Sequence, residues 1–156
     1  MPTSTQSDAP PWLAPLAARL TTHTLGRNVV YLPRTTSTNA AAHDAARAHA
    51  PDGTLVVTDD QHAGRGRMGR TWQAMPEANL TFSLIVHPQG PMPDWPLVGF
   101  AAAVAVARAL EAHAPARAVH VKWPNDVLID RRKASGLLLE TVHLRDAPSA
   151  LVVGIG

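Results

Sequence analysis

Residues 119–129, VHVKWPNDVLI, decide how the fold is read. Val119 to Trp123 is a short β-branched and aromatic run, and it enters the turn Pro124-Asn125-Asp126. Val127 to Ile129 is a second short strand, ending at the charged turn Asp130-Arg131-Arg132. Lys133 opens a third, with Leu137-Leu138-Leu139 as its apolar centre. The turn Asp146-Ala147-Pro148-Ser149 precedes a last strand in LVVGIG, residues 151–156. Several strands are thus joined by tight turns, while short βαβ pieces lie near the start of the chain.

Upstream, the pattern changes. Val29 to Leu32, between Asn28 and Pro33, reads as a strand. The cluster Ser37-Thr38-Asn39 before AAAHDAARAHA starts a helix from about Thr38 to Ala50. Its small face, Ala41, Ala45 and Ala48, suits close packing on a sheet. Thr54 to Thr58 and Asn79 to Val86 are further strands. Leu97 to Ala112 is a helix apolar nearly all round, with Arg108 its only interruption before Glu111, and is expected to be buried on most sides. Strands outnumber helices, so the expected class is α+β: a mixed β-sheet with helices packed on one face. The domain is expected over residues 28–156. Residues 1–27 form an N-terminal extension, disordered over residues 1–10 and carrying a short helix from Trp12 to Leu20.

At 156 residues there is one domain. The chain is 46% apolar and 17% charged, with a formal charge of only +2. That balance speaks against a field suited to duplex DNA. About thirty residues precede the first strand, which leaves no room for an added helix-turn-helix. No cysteine is present, so disulfides, thiolate nucleophiles and iron–sulfur clusters are excluded. The N-terminus lacks a signal-peptide pattern. The apolar run Leu97 to Ala107 falls short of the about 20 residues a bilayer span needs. A cytoplasmic protein with no membrane partner is expected.

The densest chemistry lies in Gln61-His62-Ala63-Gly64-Arg65-Gly66-Arg67-Met68-Gly69-Arg70-Thr71-Trp72, with three glycines, three arginines and a tryptophan. Glycine lets a chain wrap closely around a ligand. Arginine grips carboxylate or phosphate through paired hydrogen bonds. The stretch is either an exposed basic loop or a flexible clamp for an anionic small molecule. GRGRMG has the glycine spacing of a dinucleotide fingerprint, but no helix follows it, and no GxxxxGK[ST] occurs. Ser37-Thr38-Asn39 caps a helix, and a helix N-terminus also attracts anions. Asn125 and Asp126 form an Asx-turn or contact a nucleotide and its magnesium. Lys133, with Gly136 three positions on, projects into a pocket or solvates a turn. Gly154 and Gly156 mark a close backbone approach or a bulge. The eight histidines show no metal-ligand spacing.

In this order the motifs TTSTNAAA, AGRGRMGRTW, ANLTFSL, KWPNDVLID, RKASGLLLE and VVGIG resemble the catalytic domain of biotin protein ligases. The resemblance covers about residues 28–156. It implies a class II aminoacyl-tRNA synthetase-like, biotin–lipoate ligase fold. It also implies an ATP-dependent activity in which biotin becomes biotinoyl-AMP and is transferred to a lysine of the biotin carboxyl carrier protein of acetyl-CoA carboxylase. ATP with Mg2+ is the implied cofactor. Arg65, Arg67 and Lys133 would be catalytic, acting on carboxylate and phosphate. Ser37, Thr38, Asn39 and Gln61 would hold the ureido head, with Gly64, Gly66, Gly136, Gly154 and Gly156 lining the biotin pocket. Arg67, Arg70, Trp72, Asn125 and Asp126 would bind the nucleotide, with Mg2+ near Asn125 and Asp126. Family members continue beyond the GIG strand, so the resemblance is to a ligase truncated at its C-terminus. A lipoate ligase, a non-catalytic biotin-binding fragment and an RNA-binding module are the alternatives.

Overall fold

In the computed structural model, residues 10–144 and 147–156 are described. A short helix, α1 (Leu13–Arg19), precedes β1 (Val29–Thr35), α2 (Thr38–Arg47) and β2 (Leu55–Gln61). β1 and β2 run parallel, with Val30 opposite Val56, so α2 is the crossover between them. The glycine–arginine stretch follows as β3 (Gly64–Arg65), a 3-10 turn at Arg67–Gly69 and β4 (Thr71–Trp72). Next come β5 (Thr81–Val86), α3 (Pro96–His113), β6 (Val119–Lys122), β7 (Asp126–Ile129), β8 (Arg132–Leu144) and β9 (Ala147–Ile155). Seven strands make one sheet in the order β1-β2-β5-β9-β8-β7-β6. Apart from the β1–β2 pair, its neighbours are antiparallel. The mixed α+β sheet is therefore as expected.

Several local expectations need correction. β1 continues through Pro33 to Thr35. Proline has no N–H to donate, and β1 is an edge strand, where one missing donor breaks no ladder. The two long helices do not share a face. Ala42 and Ala46 of α2 pack with Val56, Ile85, Val142 and Val152. Ala103 and Ala107 of α3 pack with Val127, Leu137 and Val153. Side chains alternate along a strand, so Val152 and Val153 must point to opposite faces. The central strands are apolar on both sides, and a helix covers each.

The buried stripe of α2 is Thr38, Asn39, Ala42 and Ala46, while Ala48 is exposed. α3 is not buried on most sides. Of its residues only Ala103 and Ala107 are buried, and Leu97, Phe100 and Val104 face outward. The helical stretch Met92–His113 has 22 residues and holds an 18-residue window of mean hydropathy 1.4; it is longer than the apolar run noted in the sequence and is long and apolar enough to cross a membrane by length and composition. Here it packs on β6, β7 and β8. Of the expected turn at 146–149, Asp146 lies outside the described residues and Ala147–Ser149 belong to β9. The expected disorder at residues 1–9 also falls outside them.

Candidate active site

One end of the sheet gathers the N-terminus of α2, the end of β2, the β3–β4 hairpin, the β6–β7 turn and the glycines of β8 and β9. Ser37 adopts extended backbone angles before α2, and its hydroxyl accepts from the Ala40 N–H at 3.5 Å. The Thr38 N–H, left free by the helix start, donates to Gln61 Oε1 at 2.9 Å. Gln61 thereby ties the end of β2 to the helix. A Cβ on Gly64 would lie 2.5 Å from Gln61 Nε2 and 2.6 Å from the Trp72 carbonyl oxygen, so only glycine fits there. The arginine stretch is not a bare loop. Gly64 pairs with Trp72 and Arg65 with Thr71 in a small antiparallel hairpin.

Asn39 is 4% exposed, and its amide is engaged at both ends. Oδ1 accepts from Ser83 Oγ at 2.6 Å, and Nδ2 donates to Glu140 Oε2 at 2.7 Å and to the Leu138 carbonyl at 3.4 Å. Ser83 Oγ also lies 2.8 Å from Thr38 Oγ1. Arg65 Nη2 reaches the same Glu140 oxygen at 3.2 Å. Glu140 and Ser83 were not among the site residues expected from sequence. Each interrupts an apolar strand run with a polar group, Glu140 as the one charge in LLLETV and Ser83 in the middle of TFSLIV, and that is the signal that would have found them. Glu140 joins the hairpin arginine to the helix N-terminus, while Asn39 is held inside the protein.

His43 Nε2 lies 3.8 Å from Glu140 and is buried without a hydrogen-bond partner. Burial is the largest influence on this imidazole and lowers its pKa below the usual 6.5, against the opposing pull of Glu140. The folded protein thus binds a proton at His43 less readily than the unfolded chain. Stability linked to His43 is complete above pH 6.5 and is lost as the pH falls below it. The melting temperature is expected to drop between pH 7.5 and pH 5.5 by a smaller margin in His43→Gln than in the parent. Equal drops would show that His43 does not contribute.

The nucleotide-side candidates meet across the β6–β7 turn. Arg67 Nη1 donates to Asn125 Oδ1 at 3.2 Å, and Asn125 Nδ2 donates to the Leu137 carbonyl at 2.8 Å. Lys133 Nζ lies 2.8 Å from Asp126 Oδ1 and 4.9 Å from the centroid of the Trp72 ring. Trp72 in turn covers bare backbone. A Cβ on Gly136 would lie 2.9 Å from its ring, and one on Gly156 would lie 2.6 Å from its Nε1. Gly154 is bare for a different reason: a Cβ there would fall 2.1 Å from Asn39 Oδ1. These three glycines therefore make room for Trp72 and Asn39 within the protein. Gly66 pairs its N–H with the Arg70 carbonyl, and the Arg70 side chain stays exposed.

A cleft of about 420 Å3 runs from the hairpin to the β6–β7 turn, lined by Arg67, Trp72, Asn125, Asp126 and Lys133. A recess of about 30 Å3 adjoins it through Trp72, between Thr38, Gln61, Gly136, Gly154 and Gly156. The arrangement places neutral donors and acceptors at the inner end and cations at the outer end. That polarity suits a ligand with a neutral polar head and a carboxylate that meets phosphate.

The chain matches the Biotin/lipoate A/B protein ligase family over residues 31–156. It is 40% identical over 137 residues to the bifunctional ligase/repressor BirA of Bacillus spizizenii, covering 88% of this chain and 42% of that one. It is 41% identical over 126 residues to the biotin–[acetyl-CoA-carboxylase] ligase of Paracoccus denitrificans, covering 80% and 52%. Among solved structures it resembles the biotin protein ligase of Aquifex aeolicus in complex with biotin and ATP, with a TM-score of 0.67 and 32% identity over 83% of this chain and 51% of that one. The Leishmania major biotin protein ligase in complex with biotinyl-5-AMP gives a TM-score of 0.64 at 32% identity, covering 83% and 56%. The chain spans about half the length of these relatives. The match over residues 31–156 and the likeness to solved biotin protein ligases agree: this chain belongs to the Biotin/lipoate A/B protein ligase family.

Proposed function

We propose that this site activates biotin with ATP and passes the biotinoyl group to a lysine of the biotin carboxyl carrier protein of acetyl-CoA carboxylase. The observation that carries the reading is the convergence of Arg67 and Lys133 on one cleft beside the Thr38–Gln61 recess. A biotin carboxylate oxygen attacks the α-phosphorus of ATP. The bond from that phosphorus to the bridging oxygen breaks, and pyrophosphate leaves with the electron pair. The neutral lysine amine of the carrier then attacks the acyl carbon; the bond from that carbon to the phosphate oxygen breaks, AMP departs with the electron pair, and the amine nitrogen releases a proton to solvent as the amide forms.

A carboxylate is already nucleophilic, so no strong base is required. The barrier comes from bringing two anions together, and preorganised cations lower it. Lys133 and Arg67 stand where that charge would gather. They are held in place by Asp126 and Asn125, which an incoming phosphate would replace as partners. Asp126 and Asn125 offer hard oxygen donors that fit Mg2+ shared with nucleotide phosphates, and the ion would neutralise phosphate charge there. Thr38 and Gln61 present a hydroxyl and an amide to the ureido head. Relatives in this family were solved with biotin, ATP and biotinyl-5-AMP, which supports the same substrates here.

Biotin is expected to raise the melting temperature of this chain and lipoate to leave it unchanged. A shift with lipoate alone would replace biotin by lipoate in this reading.

A further inference from the structure

The Glu140 carboxylate on β8 accepts from both Arg65 Nη2 and Asn39 Nδ2 through one oxygen. An ionised carboxylate only accepts hydrogen bonds, so the Asn39 amide must turn its N–H side to Glu140 and its oxygen to Ser83. The Leu138 carbonyl, the other acceptor on that side, is 3.4 Å away, too long to hold the amide alone. An amide oxygen also only accepts, so Ser83 gives its single hydroxyl proton to Asn39 Oδ1 at 2.6 Å. The 2.8 Å contact between Ser83 Oγ and Thr38 Oγ1 then takes its proton from Thr38. Gln61 Oε1, 3.3 Å from the same hydroxyl, already accepts from the Thr38 N–H. Ser83 is fully buried, and Thr38 and Asn39 are nearly so, which leaves no solvent to serve as an alternative partner. Thr38 lines the recess with Gln61 and the glycines, and its hydroxyl has a lone pair to offer there and no proton.

We propose that Glu140 is a positioning residue: acting through Asn39 and Ser83, it fixes the Thr38 hydroxyl as an acceptor for an N–H of the ligand's neutral head. This rests on the proposed biotin reading and deepens it. A ureido ring carries two N–H donors, and a hydroxyl locked as acceptor selects a donor at the place it faces. Without the lock, the hydroxyl rotates to donate or to accept as the ligand requires, and no longer tells an N–H from an oxygen. Glu140 is not among the residues that line the recess, so its effect on selectivity passes through Asn39, Ser83 and Thr38. Its bond to Arg65 concerns the carboxylate and phosphate end, which biotin shares with analogues altered only in the head. The two roles of Glu140 are therefore separable.

The test measures binding of biotin and of its two cyclic carbamate analogues, each with a ring oxygen in place of one ureido N–H, to the parent chain, Glu140→Met and Ser83→Ala. Glu140→Met keeps the side-chain length and removes the acceptor. Ser83→Ala cuts the line of hydrogen bonds next to Thr38 and leaves Glu140 and Arg65 in place, so it carries the test where Glu140→Met does not fold. The parent is expected to bind one carbamate roughly 10–100-fold more weakly than biotin, the cost of a buried acceptor left without a donor. That ratio should fall to a few-fold in both variants. A merely structural loss would weaken biotin and the carbamates together and leave the ratio where it was. The proposal is overturned if the parent binds both carbamates as tightly as biotin, or if either variant keeps the parent's ratio. An unchanged ratio with biotin still bound rejects the role of Glu140 and keeps the biotin reading, whereas no binding of biotin to the parent rejects both.

Discussion

Lys133→Ala is expected to lower biotin-dependent pyrophosphate release by about 10²–10³-fold, the usual cost of removing one preorganised charge from a developing anion. Lys133 is placed for that task by two contacts, the Asp126 carboxylate at 2.8 Å and the Trp72 ring at 4.9 Å. Both hold the ammonium over the cleft without burying it. Its side chain is 44% exposed, so the ion pair adds little to folding after solvent screening. The substitution should therefore separate rate from stability, leaving the melting temperature within a few degrees of the parent. Single-turnover pyrophosphate release and a thermal melt on the same preparation check both. Parent-like release in Lys133→Ala would remove this residue from the chemistry.

Gly154→Ala acts through packing. Gly154 lies in β9 between Ser83 of β5 and Leu138 of β8, at the centre of the sheet. The added methyl would fall 2.1 Å from Asn39 Oδ1, far inside van der Waals contact. Asn39 cannot yield cheaply, because Ser83 and Glu140 hold its two ends. Either the start of α2 lifts from the sheet or the Asn39 amide breaks its buried hydrogen bonds. The expected cost is about 2–4 kcal/mol, from overpacking together with the lost bonds. That corresponds to a melting temperature lower by about 5–15 °C. Biotin affinity should fall as well, since Thr38 is carried on the same turn. A melt within a degree of the parent, with biotin affinity intact, would contradict the close approach of β9 to Asn39.

The elements were legible from the sequence because their signals are local. Val29 to Leu32 and TFSLIV carry strand composition, and Ser37 before the alanine run marks a helix start. What stayed hidden depends on contrast or on distance along the chain. α2 is nearly all alanine on the faces that compete for burial, so periodicity could not choose Ala42 and Ala46 over Ala41, Ala45 and Ala48. α3 is apolar around its circumference, and the pattern gave no exposed side. The placement of the helices on opposite faces is seen only once β9 lies between β5 and β8, with Val152 packed on α2 and Val153 on α3.

The candidate site shows the same division. Arg67, Lys133, Asn125, Asp126 and Trp72 stand out by residue type and meet at one cleft. Their pairing with one another was not visible, because each partner comes from a different strand or turn. Glu140 sits inside the strand run LLLETV, and only the fold brings it between Asn39 and Arg65. Glycine marks a close approach in the sequence, but the residues that fill the space beside Gly136, Gly154 and Gly156, Trp72 and Asn39, are set by the fold.

The most direct measurement incubates this chain with biotin and ATP labelled at the α-phosphate, then separates the acid-stable nucleotides from biotinoyl-AMP. Label is expected in biotinoyl-AMP only when biotin is present, bound to the protein, and nearly absent with Lys133→Ala. Intact ATP after incubation with biotin, or an equal yield of adenylate when lipoate replaces biotin, would contradict a site built to join the biotin carboxylate to a nucleotide phosphate.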